Sequence, residues 1–227
     1  MVESHSDDIL ADAHNVDVAF LVVGDPFSAT THTDFLLRCR QHDPPIPTRT
    51  LPNASILTAV GATGLSLYNF GQTVSMVFFT DNWRPDSFYD RVKENAGLGM
   101  HTLVLLDIKV KEPDLAAMAR GKIVYDPPRF MTVAQCASQM LEVEEARAGA
   151  VCGKETLAVG VARLGSEDQV IVAGTLEELA EAALGRPLHS LVVCGSKMHE
   201  MEWEYVREFA VDQAKFDTIW KRDYAGH

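Results

Sequence analysis

Two carboxylates stand where a buried strand would end, and such positions favour ligand chemistry. Asp25 lies in the loop Gly24-Asp25-Pro26-Phe27 after the apolar run VAFLVV, and Asp107 ends the run HTLVLLDI. Ligands of open α/β sheets bind beyond the carboxyl ends of the strands. Asp25 therefore has two interpretations. It either accepts hydrogen bonds from a ligand or forms hydrogen bonds with its own backbone in a turn. Asp107 likewise is either a functional carboxylate or a cap for the next segment.

The remaining reactive side chains form no recognisable catalytic or metal motif. The sequence has eight histidines, but no HxxxH or HExxH pair, so no metal site is predicted. His189 falls inside a strand pattern, and its default interpretation is a hydrogen-bonded core histidine. A GxSxG elbow, a P-loop and a GxGxxG loop are also absent. The four cysteines lack CxxC spacing, which predicts reduced thiols in a cytosolic protein.

Apolar runs and helix signals alternate over the first 108 residues. Strands are predicted over 18–23, 46–51, 73–79 and 101–108, and helices over 31–40, 55–60 and 85–95, the last stopped by Gly97. Alternating strands and helices indicate an α/β domain with a parallel, helix-covered sheet.

The pattern changes after Lys109. Capping boxes at Thr132/Gln135 and Thr175/Glu178 predict two helices, and the four residues 165–168 between strands 156–164 and 169–173 predict a hairpin. A further strand is predicted over 188–194 and a helix over 200–216. We therefore expect two domains, an α/β domain over 1–108 and a mixed α+β domain over 109–227.

Composition excludes several classes of protein. The chain has 227 residues, 47% of them hydrophobic and 23% charged, as is typical of a globular protein. Its net charge of −12 argues against nucleic acid and anionic membrane surfaces as partners. It has no apolar run of transmembrane length, and its polar, acidic start is unlike a signal peptide.

Long segments of the sequence, in order and over nearly its whole length, resemble the diphthine synthase family. The NWRP and PPR stretches resemble its eukaryotic branch. The segments are GDPFSATTHTD (24–34), NASILTAVGATGLSLYNFG (53–71), TDNWRPDSFYDRV (80–92), GMHTLVLLDIKVKEP (99–113), YDPPRFM (125–131), VARLGSEDQVIVAGTL (161–176) and PLHSLVVCG (187–195).

The resemblance implies a tetrapyrrole-methylase-like fold, in which two α/β domains bind S-adenosyl-L-methionine between them, usually in a homodimer. It implies methylation of a modified histidine of elongation factor 2 during diphthamide biosynthesis in the cytoplasm, with S-adenosyl-L-homocysteine as product. The number of methyl groups, four in eukaryotic and three in archaeal members, is not predicted.

Site residues follow from the resemblance by position. Cofactor contacts are expected from Asp25, Ser28, Ser55, Ile56, Leu106, Leu164 and His189. Ser28 stands where relatives commonly have glycine, which changes the expected shape of that loop. Asp107 and His189 are the candidates for taking a proton from the attacking amine.

Two alternatives stay open. Family members begin with a strand, a GLGLGD-like loop, a helix and a second strand, and the resemblance implies that these, on the order of 50 residues, are missing here. The chain is therefore either an active methyltransferase or a truncated member that binds cofactor poorly and acts at most as a binding partner. A third, weaker reading is a related methylase acting on a small molecule.

Overall fold

The computed structural model describes residues 5–113, 118, 120–121 and 124–226. They form two compact units, one ending at Ala59 and the other beginning at Val60. The helices of the first unit are α1 (Ser6–Leu10), α2 (His32–Gln41) and α3 (Ile56–Ala59).

The first unit has a small core of its own. Phe35 and Cys39 lie four residues apart on α2, so they share one helix face and pack with Leu10 and Ile46. The strands predicted over 18–23 and 46–51 are wrong, because both segments are irregular and Leu21 and Val23 are almost fully exposed. A strand needs neighbouring backbone groups to hydrogen-bond, and no described residue of this unit pairs with either segment in a ladder.

The second unit is built on a five-stranded mixed sheet. The strands of this unit are β1 (Val74–Met76), β2 (Thr102–Leu106), β3 (Ile108–Lys109), β4 (Arg129–Phe130), β5 (Leu157–Ala162), β6 (Val170–Thr175) and β7 (His189–Val193). The main sheet has the order β1-β2-β7-β5-β6, and β3 and β4 form a separate antiparallel ribbon.

Pairing directions explain why the sheet is mixed. Strands β1 and β2 are parallel, whereas β7 is antiparallel to both β2 and β5, and β5 and β6 form the predicted hairpin. The prediction of parallel pairing holds only for β1 and β2. The sheet joins strands from both sides of residue 108, and the domain boundary predicted there stays a prediction.

The helices of the second unit are α4 (Ser87–Leu98), α5 (Val133–Arg147), α6 (Leu176–Leu179), α7 (Glu200–Val206) and α8 (Gln213–Asp223). Both predicted capping boxes are confirmed, at the starts of α5 and α6. Helix α4 continues through Gly97 and ends at Leu98, because Gly99 takes the left-handed conformation that caps the helix.

The single helix predicted over 200–216 is wrong in one place. A 3-10 turn over Arg207–Phe209 is followed by extended backbone at Ala210, and the Val211 N–H donates to the Ala173 carbonyl of β6 at 2.9 Å. This pairing extends the backbone and separates α7 from α8. The Asp212 carboxylate then caps α8 by accepting the Lys215 N–H.

The core of this unit lies between the sheet and α4, α5 and α6. Every residue of β5 and β7 is buried, as expected for inner strands covered by helices. Gly160 of β5 lets α5 approach closely, since a Cβ there would lie 2.8 Å from a methyl carbon of Val133. The sheet and its covering helices therefore form a closely packed support.

A buried carboxylate links α7 to this sheet. Glu202 accepts hydrogen bonds from the backbone N–H of Ser66 and of His199, each at 2.6 Å, and from Nε2 of His101 at 3.3 Å. Gly195 N–H donates to Nδ1 of His101, so the proton of this neutral ring lies on Nε2. Burial raises the pKa of Glu202, but these donors outweigh it and lower the pKa to about 2.

Replacing Glu202 with Gln should destabilise the protein. Loss of the charged acceptor is expected to lower the free energy of unfolding at pH 7 by about 2 kcal/mol, measured by urea denaturation. Because the folded-state pKa of Glu202 lies below its ordinary 4.5, the gap between wild type and E202Q should close as the pH falls from 4.5 towards 2. The exposed Glu208→Gln control should change stability by less than about 0.5 kcal/mol, and an equal loss in both variants would contradict this account.

Candidate active site

Two strands of the main sheet end where a third begins, and four of the predicted site residues lie at this edge. Leu105 pairs with Ser190 and Ala162 pairs with His189, so the carboxyl ends of β2 and β5 meet the start of β7. Leu106 is the last residue of β2, and Asp107 follows it. Leu164 lies two residues beyond the end of β5. We call this group, Leu106, Asp107, Leu164 and His189, the sheet-edge site.

Asp107 joins two neighbouring segments of the site. Its Oδ2 accepts the Phe78 N–H at 3.1 Å, and its main-chain carbonyl accepts the Met131 N–H at 2.9 Å. Its Oδ1 has no hydrogen-bond partner among the described residues. The half-buried carboxylate is therefore held at one oxygen and free to act at the other.

His189 is buried and hydrogen-bonded at both ring nitrogens. The Val133 N–H at the start of α5 donates to Nδ1 at 3.3 Å, so the ring proton lies on Nε2. Nε2 donates to the carbonyls of Arg186 at 3.0 Å and Gly185 at 3.2 Å. The ring satisfies a helix donor that would otherwise lack a partner, and it has no free lone pair in this state. Its predicted role in proton transfer stays a prediction.

Leu164 offers unpaired main-chain groups at the same edge. It is half-buried, and neither its N–H nor its carbonyl has a hydrogen-bond partner among the described residues. Its neighbours are paired, since Arg163 N–H donates to Leu188 and Gly165 N–H donates to the Gln169 side chain. An apolar side chain with an adjacent free donor and acceptor suits a ligand that is partly apolar and partly polar.

The predicted site residues of the first unit form a separate group. Asp25 accepts the Phe27 N–H at 2.8 Å and the Asn53 N–H at 3.1 Å, while its own N–H donates to the Ala54 carbonyl. These two backbone donors lower the pKa of Asp25 below its ordinary value. Asp25 therefore fastens the GDPF loop to the segment that carries Ser55.

Ser28 and Ser55 lie on the two segments that Asp25 joins. The Ser28 hydroxyl donates weakly to Asp25 at 3.5 Å. The Ser55 hydroxyl accepts the Leu57 N–H at 3.2 Å, immediately before α3, which starts at Ile56.

Sequence patterns did not reveal a cavity of about 650 Å³ in this unit. Apolar side chains line it together with polar ones, among them Asp17, His32 and Arg49, and with the GDPF loop.

A second feature that sequence patterns missed is Arg163. It follows β5 directly and precedes Leu164-Gly165, and a cation at the end of an apolar run was the available signal. Its side chain is mostly buried and binds the backbone around His189, as described below.

Comparison with known proteins identifies the family. Residues 6–180 match the model of the Tetrapyrrole (Corrin/Porphyrin) Methylases. The chain is 63% identical over 226 residues to "Diphthine methyl ester synthase" of Emericella nidulans, covering 100% of this chain and 79% of that protein. The Gibberella zeae protein of the same name is 63% identical over 226 residues, covering 99% and 78%. A crystal structure of diphthine synthase superposes with a TM-score of 0.76 at 32% identity, covering 96% of this chain and 75% of that one.

The chain belongs to the tetrapyrrole methylase family and, within it, to the diphthine synthases. It is a methyltransferase with the tetrapyrrole-methylase-like α/β fold that the resemblance predicted. None of the helices in the described residues has both the length and the apolar character needed to cross a membrane.

Removing the Asp25 carboxylate should loosen the GDPF loop. In Asp25→Ala, amide hydrogen exchange at Phe27 and Asn53 is expected to speed up severalfold, because both N–H groups lose their acceptor. The control is Asp34→Ala, which removes an exposed ion pair with Arg38 on α2. Unchanged exchange at both amides in D25A would show that the carboxylate does not fasten the loop.

Proposed function

We propose that the chain transfers methyl groups from S-adenosyl-L-methionine to the modified histidine of elongation factor 2, in the diphthamide pathway. The observation that carries the proposal is the convergence of Leu106, Asp107, Leu164 and His189 at one sheet edge, where the family resemblance expects the cofactor. The name shared by the relatives supports the methyl-ester product.

The sheet-edge site fits the proposed cofactor chemically. Adenosine has flat apolar faces and a polar rim. Leu106 and Leu164 would contact the faces, and the main-chain N–H and carbonyl of Leu164, which pair with no described residue, would bond the rim. When bound, the cofactor supplies a methyl group activated on a sulfonium. In the first unit, Asp25 would keep the Ser28 and Ser55–Ile56 segments in shape for cofactor contact.

The chain's own task is alignment and deprotonation. Holding nitrogen and methyl carbon in line can be worth roughly 7–11 kcal/mol. An alkylamine with a pKa near 10.4 is only about one part in 10³ neutral at pH 7, so a proton acceptor helps. We assign that role to Oδ1 of Asp107, the carboxylate oxygen that has no hydrogen-bond partner in the described part of the chain. His189, with both nitrogens engaged, would form a wall of the site.

The same proposal includes elongation factor 2 as the partner, a homodimer as the assembly and the cytoplasm as the location. The net charge of −12 fits a protein rather than a nucleic-acid substrate. The four cysteines are free and buried, which fits a reducing compartment.

A second candidate is a chain that keeps the fold but binds cofactor poorly, as a binding partner only. The observation that favours it is the exposure of Leu21 and Val23 beside Gly24. Calorimetric titration with S-adenosyl-L-homocysteine separates the two. Binding at micromolar ligand, together with methyl transfer to elongation factor 2 carrying the precursor histidine, would support the enzyme. An absence of binding at millimolar ligand would support the second candidate.

Asp107→Asn should separate catalysis from binding. We expect a fall in kcat of about 10²-fold or more, since an amide takes up no proton. The Kd for S-adenosyl-L-homocysteine should stay within about threefold, because the carboxamide oxygen still accepts the Phe78 N–H. Asp90→Asn, which weakens an exposed pair with Arg147, is the matched control. Wild-type kcat in D107N would contradict the proposed role.

A further inference from the structure

Arg163 occupies an unusual backbone position next to the sheet-edge site. It follows the last residue of β5 and precedes Leu164, with φ of +52°. This left-handed conformation is disfavoured for a residue with a side chain and persists only where the surroundings hold it. Such positions cluster at functional sites.

The surroundings that hold it are mainly main-chain carbonyls. The guanidinium donates to the Asp168 carbonyl at 2.9 and 3.1 Å, to the Leu184 carbonyl at 3.1 and 3.2 Å, and to the Arg186 carbonyl. It also pairs with the Asp168 carboxylate at 2.8 Å, and its side chain is only 14% exposed. One side chain thus ties the turn after β5 to the segment before β7.

Arg163 also shares an acceptor with His189. The Arg186 carbonyl accepts both the Arg163 guanidinium and Nε2 of His189. The backbone N–H of Arg163 donates to Leu188, the residue immediately before His189. Any movement of the guanidinium therefore displaces both the carbonyl that orients the His189 ring and the backbone of Leu164.

We propose that Arg163 is a positioning residue for methyl transfer, one that fixes Leu164 and the His189 ring in the geometry that receives the cofactor. The inference rests on the proposed function, since it assumes that the cofactor binds at this edge. Arg163 itself contacts neither reactant in this account. Arginine suits the task because its planar group presents five donors in fixed directions, whereas lysine offers a single centre.

The test compares Arg163→Met and Arg163→Lys with wild type. We expect R163M to raise the Kd for S-adenosyl-L-homocysteine and the KM for S-adenosyl-L-methionine about tenfold or more, with the KM for elongation factor 2 within twofold. In R163K this Kd and the KM for S-adenosyl-L-methionine should lie between those of R163M and wild type. The ¹⁵N signals of the His189 ring should shift in both variants, because the Arg186 carbonyl loses or changes a donor.

The control is Arg222→Met, which removes ion pairs to Glu155 and Asp223 at the opposite end of β5. It should leave both KM values and the His189 signals unchanged. If R163M does not fold, R163K carries the test. Two results would overturn the positioning role alone. One is a Kd for S-adenosyl-L-homocysteine within twofold of wild type in R163K and in any folded R163M. The other is an equal rise in the KM for S-adenosyl-L-methionine and the KM for elongation factor 2. A wild-type chain that binds no S-adenosyl-L-homocysteine would overturn the proposed function and this inference with it.

Discussion

The hydrogen bonding of β7 on both sides is the constraint on which the site depends. Its antiparallel ladders to β2 and β5 set Leu105 opposite Ser190 and Ala162 opposite His189. A slip of one residue in either ladder would turn every side chain of a strand to the other face of the sheet. Both faces of β7 are buried, so a slip would move its side chains into closely packed space that other side chains now fill, and this packing fixes the register.

Hydrogen bonds from main-chain groups then orient the side chains that these strand pairings position. The Val133 N–H orients His189, the Phe78 N–H orients Asp107, and three carbonyls hold Arg163. Val133 begins α5, whereas the other partners lie in the loops that follow β1, join β5 to β6 and precede β7. The geometry of the site therefore depends on these loops as well as on the sheet and α5.

The sequence carried enough information for the five strands of the main sheet and for both capping boxes, since each depends on local patterns of a few residues. The failures involve long-range pairing. The run at 18–23 has the composition of a buried strand but lacks a partner among the described residues of its unit, and the pairing of Val211 with Ala173 divides a helix that its periodicity predicts as continuous. The place of Asp107 at a strand end was predictable, whereas the contacts of His189 and Arg163 depend on residues far away in the chain.

In the proposed function the cofactor binds at the sheet edge formed by β2, β5 and β7. The most direct test of this placement is methyl NMR of leucine-labelled protein during titration with S-adenosyl-L-homocysteine. We expect the methyl signals of Leu106 and Leu164 to shift, while those of Leu179, buried in α6 against the core, stay unchanged. Saturable binding that leaves both Leu106 and Leu164 unmoved would contradict this placement.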